Sequence, residues 1–308
     1  MIRHVKTWLV LVTLAGLSCG CGGKAITKST HVDPNARPVI KDATKEELLA
    51  DYNQIARNLK TVNATVELKP TAGSKYSGVI DEYHEVKAFL LASREAEIRV
   101  IGQAPVVGTT VFDMASDGDT FSVSIPSKHK FLVGQVAVER MSGKPIENLR
   151  PQHLLDALLW PEVRKEESVL FEEFNDENAR YYVLTVLRGG YQTEILRKIW
   201  FDRADLQVAR LEAFGPKGVL LSDVRLSDWE PLAAAASPSA SPAPAAPDAV
   251  NSFARAIQIN RPHDDYTLNL QVAKITVNED IPAERFRLEQ PAGSELVHVG
   301  DATEKKQP

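Results

Sequence analysis

Two periodicities divide the chain. Leu48, Tyr52, Ile55 and Leu59 recur at helical spacing behind the capping-box pattern Thr44-Lys45-Glu46-Glu47, and predict one amphipathic helix over 44–59. From Thr61 the period falls to two. Short runs rich in Val, Ile, Phe and Thr predict strands over 61–69, 76–92, 96–103, 109–115, 119–125 and 130–136, broken by glycine, proline or charge, as at Thr71-Ala72-Gly73 and Asp117-Gly118. The alternation is clearest in 119–125. Phe121, Val123 and Ile125 share one face and Thr120, Ser122 and Ser124 the other, so this strand buries one side and wets the other.

Pro151–Trp160, PQHLLDALLW, predicts a short apolar helix with proline in its first turn, where the missing N–H costs nothing. Strand patterns resume over 168–174, 180–188, 193–201, 206–214 and 218–226, with turn signals at Arg188-Gly189-Gly190 and Phe214-Gly215-Pro216-Lys217-Gly218. The tract 233–249 is rich in Pro, Ala and Ser and has no large apolar side chain until it meets the next strand, so it reads as a disordered loop outside the core. It is not a domain boundary, because strands return over 252–260 and 265–277, followed by an extended segment over 283–299 and a frayed tail at 301–308. The predicted fold is mainly β, an antiparallel meander with a few helices.

Some strands are apolar on both faces. In 180–187 one face carries Tyr181, Val183 and Leu187 and the other Tyr182, Leu184 and Val186; in 193–201 Ile195, Ile199 and Phe201 oppose Leu196 and Trp200. A sheet with one wet face does not place residues this way. Two accounts stand open: helices cover the second face, or a strongly curved sheet wraps a ligand cavity.

The N-terminus carries a different signal. Arg3, His4 and Lys6 precede the apolar run Trp8–Leu17, which is shorter than the ~20 residues that span a bilayer and has the profile of a cleaved export signal. Its end, Gly16-Leu17-Ser18-Cys19-Gly20-Cys21, resembles the lipobox of bacterial lipoproteins, in which a cysteine is acylated and becomes the mature N-terminus. Cys19 and Cys21 both qualify, and the glycine before Cys21 favours it slightly. The expectation is a signal peptide over 1–20, a flexible polar tether over 21–43 and a folded domain over 44–300. A glycine, not aspartate, follows either cysteine, which by the same resemblance favours an outer-membrane anchor facing the periplasm.

Several local patterns, in order, resemble the LolA/LolB superfamily of bacterial envelope lipoprotein carriers. They are the N-terminal helix before Val62 and Val66; Gly78 ahead of Val86-Lys87-Ala88; Ser116-Asp117-Gly118-Asp119-Thr120-Phe121, Ile125-Pro126 and Lys130-Phe131; Trp200-Phe201-Asp202 and Val208-Ala209-Arg210; and Val277-Asn278, Phe286-Arg287-Leu288 and Pro291-Ala292-Gly293. The resemblance implies a strongly curved antiparallel sheet, an incomplete β-barrel, with the two helices as a lid over an apolar cavity for acyl chains. The lining expected from it and from the alternation is Ile98, Val100, Phe112, Phe121, Val123, Ile199 and Leu268, with Leu48, Tyr52 and Ile55 on the lid. The partners implied are lipid acyl chains or lipoproteins. The competing expectation is an envelope scaffold or sensor that uses the same sheet for protein–protein interaction.

Composition adds exclusions. With 308 residues, 44% hydrophobic and 25% charged, there is material for one large domain or two small ones, and no disulfide can hold the folded part, because both cysteines lie in the signal region. A net charge of -5 with interspersed signs provides no basic stripe for nucleic acid. The seven histidines have no metal-ligand spacing, and no nucleophile elbow, phosphate loop or dinucleotide fingerprint occurs. Glu46-Glu47 and Glu172-Glu173 are adjacent pairs that read as solvated surface. No catalytic residue, metal or cofactor is expected, and the reading is of a protein that is not an enzyme.

Overall fold

The computed structural model describes residues 40–74, 78–94, 96–137, 148–175, 179–232 and 250–299. Cys19, Cys21, the expected signal peptide, tether residues 21–39, the 233–249 tract and the 301–308 tail lie outside them.

Helix α1 (Lys45–Asn58) starts where the sequence places it. The Thr44 hydroxyl accepts from the Glu47 amide and the Glu47 carboxylate accepts from the Thr44 amide, the reciprocal pair of a capping box, which holds the Glu47 carboxyl below its ordinary range. Seven strands follow: β1 (Thr61–Ser74), β2 (Val79–Glu82), β3 (Val86–Ser93), β4 (Glu97–Gln103), β5 (Thr110–Ser116), β6 (Thr120–Ile125) and β7 (Lys130–Gln135). Helix α2 (Pro151–Leu158) precedes β8 (Glu167–Asn175), β9 (Arg180–Arg188), β10 (Glu194–Asp202), β11 (Val208–Phe214), β12 (Leu220–Pro231), β13 (Ser252–Arg261) and β14 (Tyr266–Val277). A single turn of 3-10 helix at Ala283–Phe286 leads to β15 (Glu295–Val299).

Among the described residues fifteen strands form one sheet in the order β15-β7-β6-β5-β4-β3-β1-β14-β13-β12-β11-β10-β9-β8, with β2 on β1 alone. Its two ends, β15 and β8, do not meet, so it is an open, curved sheet and not a closed barrel. Every pairing is antiparallel except β15 with β7. Two meanders, β3 to β7 and β8 to β13, are thus joined through the pairing of β1 with β14. Register shifts at Thr65/Val66, Gly102/Gln103, Trp200/Phe201 and Ala213/Phe214 insert extra residues, the device that bends strands and increases their twist. Pro70 sits in β1 where the partner changes from β3 to β2, the place in a central strand where a missing N–H costs least.

Register also fixes the faces. Ala64, Leu90, Val100, Met114 and Val123 are successive partners across β1, β3, β4, β5 and β6; Leu68, Leu270, Ile257 and Leu226 continue across β14, β13 and β12; Leu211, Ile199 and Leu184 close the row. This inner face and the apolar sides of α1 and α2 make one core. Each fully buried leucine or isoleucine in it contributes about 1.5–3 kcal/mol by leaving water. The two-sided strands are explained by unequal covers. Tyr182, Leu184 and Val186 join the core under the helices, while on the outer face Phe174 and Tyr181 pack edge-on to Trp200, whose indole N–H donates to Glu212 and whose ring carries the Arg210 guanidinium.

At the other end of the sheet the outer face is covered by the C-terminal segment. Arg99 grips both carboxylate oxygens of Asp113 and donates to the carbonyls of Arg285 and Arg287, beside the buried Phe286. The expected extended run over 283–299 is therefore a helical turn, a covering segment and only five residues of strand. The expected strand over 76–92 is likewise two, β2 and β3, separated by Tyr83-His84-Glu85. Asp117-Gly118 forms the β5–β6 turn: the Asp117 carboxylate accepts from the amides of Asp119 and Thr120, and Gly118 has a φ of +97°.

Candidate functional site

The helices are tied to the sheet and to each other at one point. Tyr52 stacks on Trp160 at 5.6 Å and donates its hydroxyl proton to the Pro161 carbonyl at 2.9 Å. Asn53 exchanges two hydrogen bonds with the backbone of Val163. Arg94, in the β3–β4 turn, donates to the carbonyls of Leu59 and Trp160, so one guanidinium caps the ends of both helices. Burial keeps the Tyr52 hydroxyl protonated by pushing its pKa up.

Beneath this joint most of the expected lining is packed. Leu48, Tyr52, Ile98, Val100, Ile199 and Leu268 are buried in the common core, with Phe112, Val123 and Ile55 at its margin. Phe121 is buried further along the same face, under the Arg150 guanidinium at 4.7 Å. An open volume lies to one side of this packed lining, where α1 meets the ends of β10, β11 and β13. It is a cavity of about 310 Å3 walled by Tyr52, Ile55, Phe201, Leu206, Val208 and Val250 and rimmed by Asp51, Gln54, Asp205, Gln207 and Asn251. An apolar recess shares Ile55 and Ser252 with it and runs under α1 to Trp160, Leu226, Trp229 and Ile257. Of the sequence-named residues, Tyr52 and Ile55 reach this space; Phe201, Val208, Trp160, Trp229 and Ile257 were not named for it.

The chain entering the domain docks at the cavity rim. The Lys41 amide donates to the Arg203 carbonyl, its ammonium to the Asp205 carbonyl, and Asp42 accepts from Arg203 and from Tyr182. Arg203 also pairs with Glu173 and lies over the Tyr182 ring.

A second polar cluster sits at the start of α2. His153 and the Tyr266 hydroxyl are in direct hydrogen-bond contact, and burial, Arg261 and Arg150 together hold the imidazole well below its ordinary pKa. Burial pushes Tyr266 up, so the hydroxyl donates and His153 Nδ1 accepts. Arg261 pairs with Asp264, whose carbonyl accepts from Asn148. This cluster fastens α2 to the first residue of β14. Among the described residues no three His, Cys, Asp or Glu side chains are placed to hold a metal ion, and no helix is long and apolar enough to cross a membrane.

No family model matches the chain, and no curated protein matches it in sequence. Solved structures match in fold. A LolA superfamily protein, NE2245 from Nitrosomonas europaea, is 13% identical over 80% of this chain and 99% of its own, with a TM-score of 0.46. A DUF1329 family protein from Desulfovibrio piger is 12% identical over 78% of this chain and 95% of its own, with a TM-score of 0.48. The first carries the name of the superfamily that the sequence motifs resemble. At such identities the likeness concerns the fold alone.

Proposed function

We propose that this chain is a non-enzymatic envelope lipoprotein, anchored through an acylated Cys21 or Cys19 at the outer membrane facing the periplasm, that shelters an acyl chain of a lipid or of another lipoprotein. The observation that carries this reading is the cavity under α1, about 310 Å3 and continuous in its lining with the apolar recess at Trp229. That volume is at the lower end of ligand pockets. Each sheltered CH2 is worth about 0.8 kcal/mol, so a tail that enters along the walls of Ile55, Phe201 and Val208 and widens the recess would gain in proportion to the length it buries. Leu48, Ile199 and Leu268 lie deeper, and a long chain would reach them, and beyond them Ile98, Val100, Phe112, Phe121 and Val123, as α1 and α2 swing off the sheet.

The test is titration of delipidated protein with a fluorescent fatty acid. Wild type is expected to bind, and Ile55→Trp, which fills the shared wall of cavity and recess, to weaken binding by roughly tenfold or more, about 1.4 kcal/mol. Wild-type protein that binds no fatty acid and carries no lipid out of the membrane sinks the reading. A second reading, an interaction scaffold without a ligand, is favoured by the close packing of Leu48, Ile98, Val100, Ile199 and Leu268 under the helices. It expects that negative result.

A further inference from the structure

The sheet ends at two edges, and they are not alike. Strand β15 is five residues long and β8 is nine. Strand β8 pairs with β9 over its whole length without a register shift, and among the described residues nothing pairs with its other side. A free edge presents a row of unpaired N–H and C=O groups, which proteins usually blunt with proline, charge, a bulge or brevity. Strand β8, which reads ESVLFEEFN, has no proline, lysine or bulge, and the charges along it are the carboxylates of Glu167, Glu172 and Glu173.

Its side chains are open as well. Leu170 is 53% exposed, Phe171 40% and Phe174 44%. Alternation sends Leu170 and Phe174 to the outer face and Phe171 to the inner one, so the apolar surface flanks the edge on both sides. Each aromatic extends a ring surface further into the sheet: Phe171 packs on Tyr182 at 5.2 Å and Phe174 edge-on to Trp200 at 5.3 Å. A strand added along β8 would cover both flanks at once.

Charge decides what that strand is. Between Glu166 and Asn178 the sequence carries Glu166, Glu167, Glu172, Glu173, Asp176 and Glu177 and no lysine or arginine. Glu167 pairs with Arg197 and Glu173 with Arg203. Glu166 and Glu172 have no cationic partner among the described residues. A second copy of this chain, docked edge to edge, would bring two segments together that each carry six carboxylates and no lysine or arginine, and like charges repel. We propose that β8 accepts, as an added strand, an extended segment of a partner protein in which apolar residues meet Leu170 and Phe171 and lysines or arginines meet Glu166 and Glu172. Main-chain hydrogen bonds would supply affinity and the alternating side chains specificity. This proposal stands apart from the acyl-chain reading, which concerns the cavity walled by Tyr52, Ile55 and Phe201.

The test uses the full chain and the fluorescently labelled peptide VTKVITTKK, whose antiparallel register sets lysine against Glu172 and Glu166. Three controls accompany it: the peptide with each lysine replaced by glutamate, the peptide N-methylated at alternate backbone nitrogens, and the protein variant E166K/E172K. Binding is expected, weakened roughly tenfold or more by either charge reversal, lost with N-methylation and accompanied by slowed amide exchange within residues 168–174. Melting of E166K/E172K at the wild-type temperature shows that the variant folds. The proposal is overturned by a peptide that does not bind, by N-methylated peptide binding equally well, by an affinity indifferent to E166K/E172K, or by exchange protection elsewhere. Sedimentation showing a dimer that Phe171→Lys dissociates would overturn it too, by making a second copy the occupant.

Discussion

Tyr52→Ala is expected to lower the free energy of unfolding by about 3–5 kcal/mol, the range for truncating a buried aromatic side chain. The residue is 1% exposed, stacks on Trp160, and sits in the core where α1, the end of α2 and the sheet meet. Tyr52→Phe keeps the ring and removes only the hydrogen bond to the Pro161 carbonyl, which costs about 1 kcal/mol. Urea unfolding of the three proteins measures both steps. A Tyr52→Ala cost below about 1 kcal/mol would show that α1 does not bear on the sheet as described. The same truncation widens the wall between cavity and core, so a protein that does bind fatty acid should release it faster once Tyr52 is alanine.

Stability is expected to fall as pH drops below about 6.5, the ordinary histidine pKa that His153 regains in the unfolded chain. In the folded protein its pKa lies well below that value, because the ring is buried and faces Arg261 and Arg150. The unfolded chain therefore takes up the proton first. The contribution of neutral His153 is complete above the unfolded pKa and is lost progressively as pH falls toward the folded one, at about 1.4 kcal/mol per pH unit. His153→Gln retains an acceptor for Tyr266 and does not titrate, so it should flatten this part of the profile of melting temperature against pH. An unchanged slope in the glutamine variant would assign the acid loss to other groups.

Alternation made the strands legible, and helical spacing with a capping box made α1 legible almost to the residue. It could not show partners. Val62 lies opposite Val277, and nothing in either segment announces the other, because period two assigns a face and not a neighbour. Local irregularities explain what was missed at the site. Leu226 lies opposite Ile257 and Trp229 opposite Ala254, three residues apart in an unbroken register yet both bordering the recess, with Asp228 at a φ of +55° between them. A strict period of two sends Trp229 to the solvent side. Phe201 and Val208 pair across a register shift, at Trp200/Phe201, and the cavity wall they form is set by that irregularity. Tyr52 and Ile55 were legible because a helix has no such slips. The expectation of an acylated Cys21 or Cys19 rests on sequence alone.

The pairing of β1 with β14 also sets the order in which the molecule can be finished. Once Ser93 and the residues before it are available, β1 can pair with β3, but its other long edge waits for residues 266–277. Pairings this distant in the chain carry a high contact order and form slowly, typically in milliseconds to seconds for β-rich domains. A chain delivered N-terminus first therefore stays threadable until its last core strand emerges. Cut before Tyr266, it would be left as two meanders with nothing to stitch them.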